Sequence, residues 1–152
     1  MAPADPLPLA RLLSAATQMA VRGLNATLAE RGYPDLRPAD GYALLALGEG
    51  GATASQLGAR LGITKQAAAK IAARLEEAGY LVRADHPHDG RARLLQRSPR
   101  GEALLQDAAE VQRHIERDWA RTIGAAHMAD LRVALEAVLE SSGEDRPLAG
   151  LW

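Results

Sequence analysis

Helical periodicity governs almost all of this chain and gives way to strand in one place, between Tyr80 and Gln96. Apolar residues recur at three- and four-residue steps from Leu9 through Leu12, Leu13, Ala16, Met19 and Ala20 to Leu24 and Leu28, until Gly32 and Pro34 stop the run. Pro38 is a suitable first-turn residue for a second helix through Tyr42, Leu44, Leu45 and Leu47, which Gly48-Glu49-Gly50-Gly51 breaks. Thr53-Ala54-Ser55-Gln56 fits a capping box for a short third helix carrying Leu57 and Leu61. Gly62 punctuates, and Thr64 caps a fourth helix with Ala68, Ile71, Leu75 and Ala78 on one face and Gly79 at its end. Tyr80-Leu81-Val82-Arg83 predicts a strand, Asp89-Gly90 a hairpin turn, and Arg91 to Gln96 the returning strand. Ser98 caps a long helix with Leu104, Ala108, Val111, Ile115, Trp119 and Ile123 in its stripe. After Gly124 a last helix carries Met128, Leu131, Leu135, Val138 and Leu139 and ends at Ser141-Ser142-Gly143.

Short helix, glycine-bearing turn, longer helix, strand, turn and basic strand, in that order, make a helix-turn-helix followed by a β-hairpin wing. The expected fold class is therefore mainly α with a small hairpin: a winged helix-turn-helix with six helices, dimeric. Composition agrees. The chain has 32 Ala and 23 Leu but no Phe, and Val plus Ile number nine, a balance that favours helix over sheet. Alanine buries little area, so such a core calls for a partner chain to cover more surface.

Several function classes drop out. With no cysteine in 152 residues, disulfide, thiolate-metal and cysteine-redox chemistry are excluded. There is no apolar run near 18 residues to span a membrane, and Met1-Ala2-Pro3-Ala4-Asp5-Pro6 lacks the basic-then-apolar pattern of a secretory signal, so a cytoplasmic location is expected. No nucleophile elbow, phosphate loop or zinc-protease motif is present, and the serines have no paired histidine, so no enzyme and no cofactor is expected. His86, His88, Asp85 and Asp89 lie on an exposed wing with Pro87 between the histidines; no metal is assigned to them.

Charge points to a partner. Between Thr53 and Gly101 nine basic residues face four acidic ones, while the rest of the chain carries a net negative charge. A basic middle with acidic flanks suits a polyanion-binding face. On the fourth helix, Thr64, Lys65, Gln66, Lys70 and Arg74 are the candidate DNA contacts, with Gln66 able to pair bidentately with adenine and the lysines suited to phosphate or guanine. Arg74 has a second expected role, bracing the wing through Asp89. Strand alternation puts Arg91 and Arg93 on one face, Arg91 nearest the turn as the minor-groove candidate and Arg93 as a phosphate contact or brace. Asp89 and Gly90 support the wing.

The residues Ile63-Thr64-Lys65-Gln66-Ala67, Leu75-Glu76-Glu77-Ala78-Gly79-Tyr80-Leu81, His88-Asp89-Gly90-Arg91-Ala92-Arg93 and Ser98-Pro99-Arg100-Gly101 resemble the MarR (multiple-antibiotic-resistance regulator) family of winged-helix transcription factors. Asp89-Gly90-Arg91 looks like that family's Asp-x-Arg wing signature, and the likeness in helix order runs from Leu9 to Ser141. The resemblance implies a homodimer with interlocked first and last helices, binding a pseudo-palindromic operator as a repressor that a small lipophilic or phenolic ligand releases. It implies a division into residues 1–37 (arm and dimerisation helix), 38–98 (DNA-binding lobe), 99–142 (C-terminal dimerisation helices) and 143–152 (tail). Met19, Tyr42 and Trp119 are candidate effector-pocket residues, and Trp152 is a tail residue able to dock on the body or a partner subunit. One departure is Arg97-Ser98-Pro99, where the family usually has Leu-Thr before Pro. The alternative function for the same fold is a protein-interaction or dimerisation module without DNA binding.

Overall fold

A computed structural model describes residues 6–34 and 36–141. Eight elements follow in order: α1 (Leu9–Glu30), α2 (Pro38–Leu47), α3 (Ala54–Leu61), α4 (Lys65–Glu77), β1 (Leu81–His86), β2 (Asp89–Arg97), α5 (Pro99–Ile123) and α6 (Ala125–Ser141). The winged helix-turn-helix and its six helices are as the sequence predicts. Each predicted cap forms. Thr53 Oγ1 accepts from Gln56 N at 3.2 Å while Gln56 Oε1 accepts from Thr53 N at 2.8 Å. Thr64 Oγ1 accepts from Ala67 N at 3.1 Å, and Ser98 Oγ accepts from Gly101 N at 3.1 Å. These side chains satisfy amide donors that have no partner within the helix.

Helices α2, α3 and α4 pack with the hairpin into one lobe, and α5 leads out of it to run beside α1 and then α6. The core lies within the lobe and at its junction with α1 and α5. Leu44, Leu47, Leu57, Leu61, Leu75 and Leu81 are all at most 1 % exposed. Burying a leucine side chain contributes about 1.5–3 kcal/mol, so this leucine cluster takes the place that aromatic side chains fill in many domains.

The antiparallel sheet has two strands, joined at Ala52 by a single bridge to Leu95. Its turn differs from the sequence expectation. His86 pairs with Asp89, so the chain reverses at Pro87-His88, and the next regular pair is Asp85 with Arg93. Asp89-Gly90 therefore belongs to the start of β2, and the register shifts between Asp85 and His86. An Asp-Gly pair suits a tight turn and a bulge alike, and local sequence does not choose between them.

The root of the wing is fixed to α5. Ser98 N donates to Tyr80 O at 3.1 Å and Ser98 Oγ to Gly79 O at 2.6 Å. Gly101 lies so close beneath this junction that a Cβ there would sit 2.1 Å from Tyr80 O. Arg97, the departure from the family pattern, rests beside Glu102 with Nε 2.8 Å from Oε1.

Not every apolar stripe finds a cover. No residue of α6 is buried, and Leu131, Val133 and Val138 are exposed, as are Leu9, Leu12 and Met19 on α1. Among the described residues no helix is long and apolar enough to cross a membrane. Trp152 and the tail segment 143–152 lie outside the described residues.

Candidate nucleic-acid interface

Helix α4 is presented by its packing on α3. The turn between them is tight because Gly62 takes the left-handed conformation (φ 66°) and because position 58 is glycine: a Cβ on Gly58 would meet Ile63 O at 2.9 Å. The buried face of α4 is Ala68, Ala72 and Leu75, with Ile71 half-buried. Thr64, Lys65, Gln66 and Lys70 are exposed together along its first turns.

The nine cations of the basic segment are not equivalent. Arg60 Nη1 donates to Ala46 O at 2.6 Å and Leu47 O at 3.2 Å, tying down the last carbonyls of α2. Arg83 pairs with Glu76 at 2.7 Å and Arg97 with Glu102. Arg100 lies over the rings of Tyr33 and Tyr80, 5.5 and 5.0 Å from their centroids, and donates to Gly32 O at 2.8 Å. Arg93 forms a cross-strand ion pair with Asp85, both well exposed at the wing. The side chain of Arg91 lies outside the described residues. Lys65 and Lys70 are exposed and form no ion pair or side-chain hydrogen bond among the described residues.

Arg74 departs most from expectation. It points neither to the outer face of α4 nor to Asp89, but forms a two-pronged ion pair with Asp40 of α2, which is 1 % exposed. Nη1 donates to Asp40 Oδ2 at 2.7 Å and Nη2 to Oδ1. The same Oδ2 accepts from Arg37 N at 2.9 Å, so one carboxylate starts α2 and locks α4 to it. Hydrogen bonding to Asp40 raises the Arg74 pKa above its already high ordinary value, against the opposing effect of burial. Sequence reasoning missed Asp40 altogether; its position three residues after Arg37, at the start of a helix, was the available signal. Asp89 and Gly90, expected to support the wing, are exposed at the start of β2.

A second network joins α1 to α5. Tyr33 Oη donates to Asp107 Oδ2 at 2.6 Å, while Arg31 reaches Asp107 Oδ1 at 3.0 Å and Glu110 Oε2 at 3.1 Å. The Tyr33 hydrogen bond, then that from Arg31, holds the Asp107 carboxyl below its ordinary 3.8, and the Arg31 hydrogen bond lowers Glu110. The Tyr33 hydroxyl is raised by its bond to Asp107.

Beside this network a cavity of about 170 Å³ opens between α1, α2 and α5, lined by Val21, Leu24, Tyr42, Leu45, Leu105 and Ala108 among others. Of the three residues expected at a pocket, only Tyr42 lines it, and burial raises its pKa. Met19 does not. It lies two residues from both Thr17 and Val21, which line the cavity, and so projects from the opposite side of α1, 53 % exposed. Trp119 lies about two turns beyond Gln112, the last α5 residue at the cavity. Among the described residues no group of three His, Cys, Asp or Glu side chains is placed to hold a metal ion.

The profile of the MarR family matches residues 35–92, the stretch from the start of α2 into the wing. The architecture is similar to three solved structures. A MarR mutant from E. coli complexed with operator DNA is 24 % identical with a TM-score of 0.68, over 88 % of this chain and 94 % of that one. The transcriptional regulator Tm0710 from Thermotoga maritima is 24 % identical with a TM-score of 0.68, over 93 % and 100 %. A probable transcriptional regulator from Pseudomonas aeruginosa is 28 % identical with a TM-score of 0.64, over 87 % and 97 %. No curated protein matches the chain.

Proposed function

We propose, from the match of residues 35–92 to the MarR family profile, that this chain is a MarR-family protein: a homodimeric, sequence-specific double-stranded-DNA-binding transcriptional regulator, a repressor released by a small lipophilic or phenolic ligand. The observation that carries the proposal is the exposed start of α4, where Thr64, Lys65, Gln66 and Lys70 all face solvent, on the same lobe as a wing bearing Arg91 and Arg93. A helix of this kind fits the major groove, and its amino-terminal amides favour phosphate. In this reading Arg74 is a positioning residue. Residues 1–37 and 99–142 supply the dimer contacts, 38–98 the DNA-binding lobe, and 143–152 a tail. The uncovered stripes of α1 and α6 support the partner chain, and the apolar cavity at Tyr42 supports the ligand. A place in the cytoplasm follows from the DNA target.

A two-fold dimer would read half-sites about one helical turn apart, roughly 34 Å. The test is selection of bound genomic fragments by the purified protein, then binding to the best fragment across a salt series. Salt-sensitive binding of a pseudo-palindrome supports the proposal. A folded dimer that binds no duplex supports the protein-interaction reading instead.

A further inference from the structure

Resting on that reading, we infer that Gln66 is the adenine reader of α4, selecting an A·T pair at one position of each half-site. The inference starts from the side chains that α4 withholds. Guanine is most often read by arginine, whose two terminal nitrogens match O6 and N7. Arg74 is the one arginine of α4, and both of its terminal nitrogens are spent on the buried Asp40. The outward face that remains can be followed along the helix as Gln66, Ala69, Lys70, Ala73 and Glu77.

These side chains differ in what they can read. Gln66 is exposed, lies two residues after the Thr64 cap, and makes no intramolecular hydrogen bond among the described residues. Its amide offers one donor and one acceptor, the pattern that adenine N7 and N6 complete. Ala69 and Ala73 add only methyl groups, which let the helix approach the groove floor and can touch a thymine methyl. Lys65 and Lys70 bring point charges on flexible stems, suited to phosphate or to guanine acceptors, and as donors only they cannot complete adenine's donor–acceptor pair. Glu77 is exposed on the same face and would be repelled by phosphate, which confines the DNA-facing part of the helix to its first turns. Among these exposed side chains Gln66 is the one whose donor and acceptor together match adenine.

The test selects duplexes from a fully randomised library with the intact protein, then repeats the selection with Gln66→Ala, Lys70→Ala and Arg74→Met. An adenine preference at one position per half-site is expected for the unaltered protein. Gln66→Ala should lower that preference about tenfold, with the other positions retained. Lys70→Ala should weaken all sequences alike. Arg74→Met should leave the base preferences of its folded fraction unchanged, and relative enrichment reports this even if the variant is less stable. An unchanged adenine preference in Gln66→Ala, or loss of a guanine position in Arg74→Met, overturns the inference and leaves DNA binding standing. Failure of the unaltered protein to enrich any duplex overturns the functional reading itself.

Discussion

At the residue scale, the arginines of the basic segment act mainly as ties within the protein. Asp40 shows what such a tie contributes. Removing one partner of a buried ion pair leaves the other charge uncompensated. Asp40→Ala also deprives Arg37 N of its acceptor. Because Arg74 keeps partial contact with water, the expected loss is roughly 2–4 kcal/mol, below the upper range for fully buried pairs. Urea unfolding monitored by far-ultraviolet circular dichroism measures it, and a loss under about 0.5 kcal/mol would show that the pair is dispensable. Asp107 gives a pH dependence with a definite sign. Its folded-state pKa is depressed below 3.8, so its contribution to the α1–α5 link is present above the ordinary carboxylate range and lost as pH falls through the depressed value. Asp107→Asn should therefore flatten the acid limb of stability against pH. Unaltered acid sensitivity in that variant would remove Asp107 from this role.

At the scale of elements, caps, breaks and helix spans were legible because they depend on neighbours within four residues. Thr53, Thr64 and Ser98 were readable as caps from their spacing alone. The wing was legible as a hairpin but not in its register, since Asp89-Gly90 starts β2 and does not form the turn. The electrostatics of the wing also depend on register, which sets Asp85 opposite Arg93. Asp85→Asn should free Arg93 and remove a negative charge from the wing. Tighter binding to duplexes of any sequence is expected, with a salt slope steeper by about one. Fluorescence anisotropy across a salt series checks it, and weaker binding would mean that the pair orders the wing for DNA. Gly101→Ala tests the joint between wing and α5. Its Cβ would collide with the backbone at Tyr80, so a loss of about 3 kcal/mol is expected in thermal or urea unfolding.

The whole molecule is organised around surface that the single chain leaves uncovered. An α6 with no buried residue gains little by lying against α5 alone, and helices of this length owe most of their stability to tertiary packing. In the proposed dimer these stripes become the interface. Introducing charge there, as in Leu131→Glu with Val138→Glu, should yield monomers in sedimentation velocity. It should also weaken operator binding by roughly 100-fold, because the second half-site contact would no longer be tethered to the first. A double variant that remains dimeric would place the interface elsewhere.

Local chemistry written into the sequence determined the helices, their caps, the hairpin and the sign of the charge on the basic segment. These follow from periodicity and composition, which act over a few residues. Only the tertiary structure decided which cations remain free, since the carboxylate that captures Arg74 comes from α2, 34 residues earlier in the chain. It also decided that Met19 and Trp119 stand away from the cavity and that α6 lies open. A charge or an apolar stripe specifies the kind of neighbour it needs, whereas the folded path of the chain determines which neighbour comes within reach.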